Sequence, residues 1–173
     1  MNVAQDVGMK ILVAIGSKYG ATREVGDAIV GVLRGYGFEA DFADACDVQS
    51  VRFYNAIIIG SAVYGGLWRK DASALVHDNA ATLRGRDVWL FSVGMTQVTK
   101  PDQPLDEAEA LALEAQAIEH KRFGGRIAMD KLNLGEKALI KLINPPVGDF
   151  RDFGEIRDWA EHVALQLQED SFA

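Results

Sequence analysis

Lys10-Ile11-Leu12-Val13-Ala14-Ile15-Gly16-Ser17-Lys18-Tyr19-Gly20-Ala21-Thr22 is the segment from which the architecture of the chain can be read. Ile11 to Ile15 are apolar on successive positions, as a strand buried on both faces requires. Gly16 closes the strand, and the turn Ser17 to Ala21 opens a helix near Thr22. Val25, Ile29, Val32, Leu33 and Tyr36 recur on one face of that helix, and Gly35 and Gly37 end it. A strand buried on both faces and followed directly by a helix is the start of a parallel, doubly wound sheet.

The rest of the chain repeats the pattern. Phe38 to Ala43 is expected as a second strand, and Ala56 to Ile59 as a third, stopped by Gly60. Between them Asp44 to Tyr54 is one turn or a loop. A helix follows from Asp71 to Leu83, then a fourth strand from Asp87 to Val93, stopped by Gly94. Beyond a polar loop with Pro101 and Pro104, the Ala/Leu/Glu-rich stretch Leu105 to His120 reads as a helix, and Gly125 to Met129 as a short fifth strand. Glu136 to Ile143 is a short helix. Asp152 to Gln168 is the most regular one, with Ile156, Trp159, Ala160, Val163 and Leu167 on one face. Strands alternating with helices give an α/β fold with five parallel strands covered on both sides.

Composition agrees and removes several classes. The 173 residues are 49% hydrophobic, 25% charged and 9% aromatic, the values of one globular domain. We expect that domain over 10–173, preceded by a loose extension over 1–9. The 18 Lys and Arg against 25 Asp and Glu leave a net charge of −7, which argues against nucleic acid as partner. No apolar run approaches the length of a membrane span. Met1 to Gly8 lacks the basic head and apolar run of a secretory signal. The expectation is a cytoplasmic protein. Cys46 alone forms neither an internal disulfide nor a multi-cysteine metal site.

In such sheets ligands sit beyond the carboxyl ends of the strands, so three loops matter. After the first strand, Ser17, Lys18, Tyr19, Gly20, Ala21 and Thr22 set hydroxyls around a glycine at a helix start, an arrangement suited to a phosphate; a glycine turn capped by Thr22 is the plainer alternative. The G-x-G-x-x-G and G-x-x-x-x-G-K-[ST] patterns are absent, which leaves a single phosphate as the best-fitting anion. After the third strand, Ser61, Ala62, Val63, Tyr64, Gly65 and Trp68 suit a planar ring, with small residues admitting backbone amides and an aromatic to stack; Trp68 packed on the next helix is the alternative. After the fourth, Ser92, Val93, Gly94, Met95, Thr96 and Gln97 offer amides to the ring's polar edge.

These residues resemble the flavodoxin family. Ser17, Gly20 and Thr22 look like its phosphate-binding pattern of hydroxyl-x-x-G-x-hydroxyl, and the two later loops match its ring-contacting loops in position and character. The segment Gly60-Ser61-Ala62-Val63-Tyr64-Gly65 is similar to the branch containing menaquinone-dependent protoporphyrinogen dehydrogenase. So is the tail from Lys137-Ala138-Leu139-Ile140-Lys141-Leu142-Ile143 through Gly148-Asp149-Phe150-Arg151-Asp152-Phe153 to Trp159.

The resemblance implies a three-layer flavodoxin-like sandwich, strand order 2-1-3-4-5, and one non-covalent flavin mononucleotide (FMN) transferring electrons to a redox partner protein or a small planar substrate. It also implies where the chain departs from pattern. Tyr19 stands where a third hydroxyl residue is common, Lys18 is a cation in a loop that usually has none, and Gly94 to Gln97 contains no aromatic. The long basic, aromatic insertion of the protoporphyrinogen enzymes is replaced by the acidic, Ala-rich stretch Val98 to Lys121. Lys18, Arg69 and Lys70 therefore keep a deazaflavin coenzyme, with its anionic tail, as an alternative ligand.

Other residues carry ordinary expectations. His77, His120 and His162 lie on expected helices without ligand spacing and read as solvated. Cys46 reads as a small buried hydrophobe. Asp102, Asp106, Glu107 and Glu109 read as an acidic helix start. Glu136 to Ile143, apolar nearly all round, either packs as core or makes peripheral contact with a membrane or quinone partner. A phospho-receiver would need a carboxylate after the third strand and acidic metal ligands after the first, where Gly60-Ser61 and Gly16-Ser17 stand.

Overall fold

Residues 8–94, 107–127, 133–143 and 148–171 are described by a computed structural model. Strand β1 (Lys10–Gly16) leads through a loop into helix α1 (Ala21–Gly35). Next come β2 (Glu39–Asp44), a 3₁₀ turn at Ala45–Asp47, the long strand β3 (Ala56–Tyr64) and the short β4 (Leu67–Trp68). Helix α2 (Lys70–Leu83), β5 (Asp87–Val93), α3 (Glu107–Ala115) and β6 (Glu119–Phe123) follow. The chain continues with β7 (Arg126–Ile127), α4 (Leu134–Ile143), β8 (Gly148–Asp149) and α5 (Phe153–Ser171).

The main sheet runs β2-β1-β3-β5-β6, all parallel, with β4 paired antiparallel to the end of β3. Setting β4 aside, this is the anticipated order 2-1-3-4-5. The alternation of side chains along each strand divides the core in two. Ile11, Val13, Ile15, Ile58, Trp89 and Phe91 face α1 and α5. Leu12, Ala14, Ile57, Ile59, Val88 and Leu90 face α2 and α3. Both sets are essentially sealed from solvent, which is why the strands read as continuous apolar runs.

Three expectations need correction. Gly60 does not stop β3, which continues to Tyr64. The bare Cα is needed for packing: a Cβ there would lie 2.0 Å from Cζ of Phe91, its register partner on β5. The ring of Phe91 fills that space and meets Phe123 and Trp159 at centroid distances of 6.1 Å each. The helix expected over Leu105 to His120 ends at Ala115 within the described residues, and the fifth parallel strand is Glu119–Phe123. Being an edge strand, β6 buries only Phe123 fully, and its polar sequence hides its nature. The segment read as the fifth strand instead begins a two-stranded sheet, β7 with β8. Of Gly125 to Met129, residues 128 and 129 lie outside the described set.

Arg151 holds this small sheet to the main body. Its guanidinium, 4% exposed, donates through Nε and Nη2 to the two carboxylate oxygens of Asp149 at 2.8 and 2.7 Å, to Glu24, and to the carbonyl of Ala21 at 3.2 Å. It thereby joins β8 to the first turn of α1. The hydrogen bonds from Arg151 hold the Asp149 carboxyl at about 2, below its ordinary range.

These contacts can be tested by substitution. Gly60→Ala should destabilise the fold by about 1–3 kcal/mol in urea titration, because the displaced ring has no free volume, and Phe91→Leu in the same chain should recover part of the loss. Arg151→Met should cost about 1–3 kcal/mol near neutral pH, as charged hydrogen bonds are lost. Since a depressed carboxyl stabilises the fold above its unfolded pKa, the gap between variant and wild type should narrow as pH falls from about 5 towards 2.

Candidate functional site

The loops after β1, β3 and β5 emerge at one edge of the sheet, the carboxyl ends of the strands. The first is the turn 17–20. Ser17 Oγ accepts a hydrogen bond from the Gly20 backbone N–H at 3.2 Å, closing the turn on itself. Gly20 is the N-cap of α1 in the left-handed region, φ 86°, and a Cβ on it would meet nothing within 4 Å. The cap expected of Thr22 is therefore absent: Thr22 is the second helical residue, with its side chain buried. Conformation rather than a side chain begins this helix, leaving its first-turn N–H groups oriented outward as at an anion site.

Two side chains of the same loop converge on an anion supplied by the chain itself. Lys18 Nζ and Tyr19 Oη both donate to Oε1 of Glu136, each at 2.5 Å. Glu136 lies in the first turn of α4, its own N–H bonded to Asn133 Oδ1 at 2.8 Å. The hydrogen bond that Lys18 donates to Glu136 raises the Lys18 ammonium above its ordinary value, and the bonds from Lys18 and Tyr19 lower the Glu136 carboxyl. Arg69, between β4 and α2, adds a positive field at Glu136 and at Tyr64. Its buried Nε–H finds no hydrogen-bond partner among the described residues.

The loop after β3 divides into an exposed tip and a buried stem. Tyr64 and Leu67 are 46% and 59% exposed, joined by Gly65 and Gly66, both at positive φ. Burial raises the Tyr64 phenol above its ordinary value. Val63 is half-buried, and Ser61 and Ala62 are buried. Ser61 Oγ donates to the Ala62 carbonyl and accepts from the Arg69 N–H, both at 2.8 Å, so its hydroxyl is spent on the loop's own geometry.

Trp68 belongs to the stem. The ring-stacking expectation is not what the structure places there: its indole is 4% exposed and packs among the residues under α2 and α3. Trp68 Nε1–H donates to Ser92 Oγ at 2.8 Å. Ser92 Oγ is also 2.7 Å from His120 Nε2, whose Nδ1 lies 3.2 Å from Glu109. With a proton on Nδ1 facing the carboxylate, Ser92 donates to His120, and the chain Trp68, Ser92, His120, Glu109 is satisfied in one direction. It fastens β4, β5, β6 and α3 together beneath the loops. His120, expected as a solvated helical residue, is a half-buried strand residue whose side chain is 4% exposed. The signal was available as an Nε2 partner only once β6 was seen beside β5.

Of the loop after β5, Val93 is buried, and the Gly94 N–H donates to the Phe123 carbonyl at 3.1 Å. Met95, Thr96 and Gln97 lie outside the described residues, as do Asp102 and Asp106. Glu107 accepts from Ser73 Oγ at 2.5 Å, and its N–H donates to the Gly66 carbonyl at 3.2 Å, bracing the tip of the β3 loop. Cys46 is exposed rather than buried, because it sits on the outer side of the 3₁₀ turn. On α4, Leu134 and Leu142 stand 86% and 83% exposed, so these two residues are not core; the side chains of residues 139, 140 and 143 lie outside the described set.

The turn and Arg69 fit an anionic group in three observable ways. The turn has an open, left-handed glycine at a helix start, its side-chain donors already grip a carboxylate oxygen, and a buried guanidinium N–H lacks a partner among the described residues. A separate cavity of about 490 Å³, lined by Arg52, Phe53, Ala81, Thr82, Gly85 and Arg86, lies at the amino end of β5, away from all three loops. Among the described residues no group of three or more His, Cys, Asp or Glu side chains is arranged to hold a metal ion, and no helix is long and apolar enough to cross a membrane.

Comparison with known proteins agrees with this architecture. A flavodoxin from the domain Archaea superposes with a TM-score of 0.64 at 14% identity, covering 92% of this chain and 99% of that one. Oxidised Flavodoxin 2 from Bacillus cereus gives 0.60 at 21% identity, over 93% and 99%. Rubredoxin oxygen:oxidoreductase from Desulfovibrio gigas gives 0.59 at 9% identity; the match spans 99% of this chain and 39% of that larger one. No curated protein matches the sequence. The family model described as flavodoxin domain matches residues 12–152, from the first buried strand to the start of the last helix, and the chain belongs to that family.

Proposed function

We propose that this protein binds FMN without a covalent bond at the carboxyl edge of its sheet and carries electrons to a redox partner protein. The observation that supports this reading best is the turn 17–20, where Lys18 and Tyr19 converge on a carboxylate beside the left-handed Gly20 that starts α1. A bound flavin would supply the electron-accepting ring; everything else falls to the chain.

Under this reading each loop has a distinct task. The N–H groups of the first turn of α1 hold the phosphate, with the hydroxyl of Thr22 and the positive end of the helix behind them. The tip formed by Tyr64 to Leu67 borders the ring and keeps water from one side of it. The Trp68–Ser92–His120–Glu109 chain does not touch the ring; it fixes the loops after β3 and β5 relative to each other, so that their amides are oriented before a ligand arrives. The exposed pair Tyr64 and Leu67 gives a partner an apolar foothold next to the ring. The net charge of −7 steers approach towards a basic surface.

The deazaflavin alternative rests on Lys18, Arg69 and Lys70 as partners for its anionic tail; of these, Lys18 is paired with Glu136, and direct comparison of the two coenzymes decides between the readings. Oxidation of a porphyrinogen is the catalytic variant of the same reading, and the carrier role is the simpler one because it asks for no substrate-binding group beyond the flavin site. The test is titration of ligand-free protein with FMN, riboflavin and a deazaflavin coenzyme, followed by flavin fluorescence. FMN should bind more tightly than riboflavin, which lacks the phosphate. Thr22→Ala should weaken FMN by about 1.5–3 kcal/mol, the worth of a hydrogen bond to a charged group, and leave riboflavin unchanged. Tyr64→Ala should weaken both flavins alike. Selective binding of the deazaflavin coenzyme would overturn the FMN assignment.

A further inference from the structure

The contact between α4 and the turn 17–20 is unusual for a phosphate loop, because the anion it grips belongs to the protein. Lys18 and Tyr19 come from adjacent positions on the turn, yet both reach the same oxygen of Glu136 across more than a hundred residues of chain. A salt bridge between half-exposed groups is of small worth alone. Here it has a second effect, since it neutralises the one cation that the turn carries. The hydrogen bonds from Lys18 and Tyr19, with a smaller share from the charge of Arg69, hold that carboxylate below its ordinary value. A phosphate entering the turn meets a negative group already seated on its side-chain donors.

We propose that Glu136 is a built-in competitor for the anion of the ligand: it occupies Lys18 and Tyr19 in the free protein and yields them to the phosphate on binding. This rests on the reading of the 17–22 segment as the phosphate site of a flavin. Glu136 is then a specificity-determining residue. It penalises binding of any anion that does not bring a ring to the neighbouring loops, because a lone phosphate must displace the carboxylate with no other contact to offset the loss. It also couples occupancy of the turn to the seating of α4, whose first turn carries the carboxylate.

The experiment compares FMN with riboflavin in wild type, Glu136→Gln, Lys18→Met and the double variant, by fluorescence titration at fixed ionic strength. Both positions are at the surface, and circular dichroism verifies that each variant is folded. Glu136→Gln should tighten FMN by about twofold to fivefold, the scale of an exposed ion pair, and leave riboflavin unchanged. Lys18→Met should cost more FMN affinity when combined with Glu136→Gln than in the wild-type chain, because only in the combined background is Lys18 free for the phosphate before ligand arrives. Two results would overturn the proposal. One is an unchanged or lowered ratio of FMN to riboflavin affinity in Glu136→Gln. The other is an equal cost of Lys18→Met in both backgrounds, which would mean that Glu136 acts only by distant repulsion. If neither flavin binds any of the four proteins, the flavin reading itself fails, and this inference with it.

Discussion

The ring of Phe91 lying over the bare backbone of Gly60 is the constraint around which the sheet is arranged. These residues are register partners on the central strand β3 and its neighbour β5, and no other amino acid than glycine leaves room for the ring. Phe91 in turn meets Phe123 on the edge strand and Trp159 on α5, while Phe123 and Trp159 meet each other at 5.6 Å. One aromatic triangle therefore connects the centre of the sheet, its far edge and the final helix. It lies on the α1 and α5 side of the sheet.

On the other side of the sheet a polar counterpart has a similar role. Ser92 alternates with Phe91 and shares with Leu90 and Val88 the face towards α2 and α3, where an unpaired hydroxyl would be costly. Trp68 and His120 remove that cost and, in doing so, tie β4, β5 and β6 together. The two arrangements differ in kind. The aromatic triangle tolerates small shifts; the hydrogen-bonded chain does not, since its geometry is directional. The joining of β4, β5 and β6 rests on the less forgiving of the two.

Much of this was legible from residue order. β1, α1, β3, α2, β5 and α5 each show either a buried apolar run or a single apolar face, and such patterns survive without knowledge of neighbours. The strand order followed from a resemblance carried by a few loop residues. What was illegible has a physical basis. Glu119 to Phe123 contains four polar residues because an edge strand has only one partner, so it resembled the end of the helix before it. Gly60 looked like a stop because the ring that fills its missing side chain comes from the next parallel strand, beyond an intervening helix. Trp68 and Ser92 were expected in loops but lie on β4 and β5, and whether their polar atoms face outward or each other depends on register between β4, β5 and β6. The pairing of Lys18 with Glu136 joins residues whose separation exceeds any local pattern.

The pairing of Arg126 with Asp149 and of Ile127 with Gly148 brings the chain back to the point from which it left. Helix α4 falls between these two strands, whose pairing closes the segment at its base, with Arg151 fastening the closure to α1. Loops of this kind accept changes in length and sequence at modest entropic cost, because their anchoring contacts lie outside the variable part. The residue facing the turn 17–20 can therefore change over evolutionary time without disturbing the nucleus of the domain. A lineage could exchange a carboxylate for an amide, or a longer helix for a shorter one, and so acquire a new ligand preference while inheriting the same scaffold. In that sense the β7–β8 closure is a source of evolvability, separating what must be kept for folding from what is free to diversify.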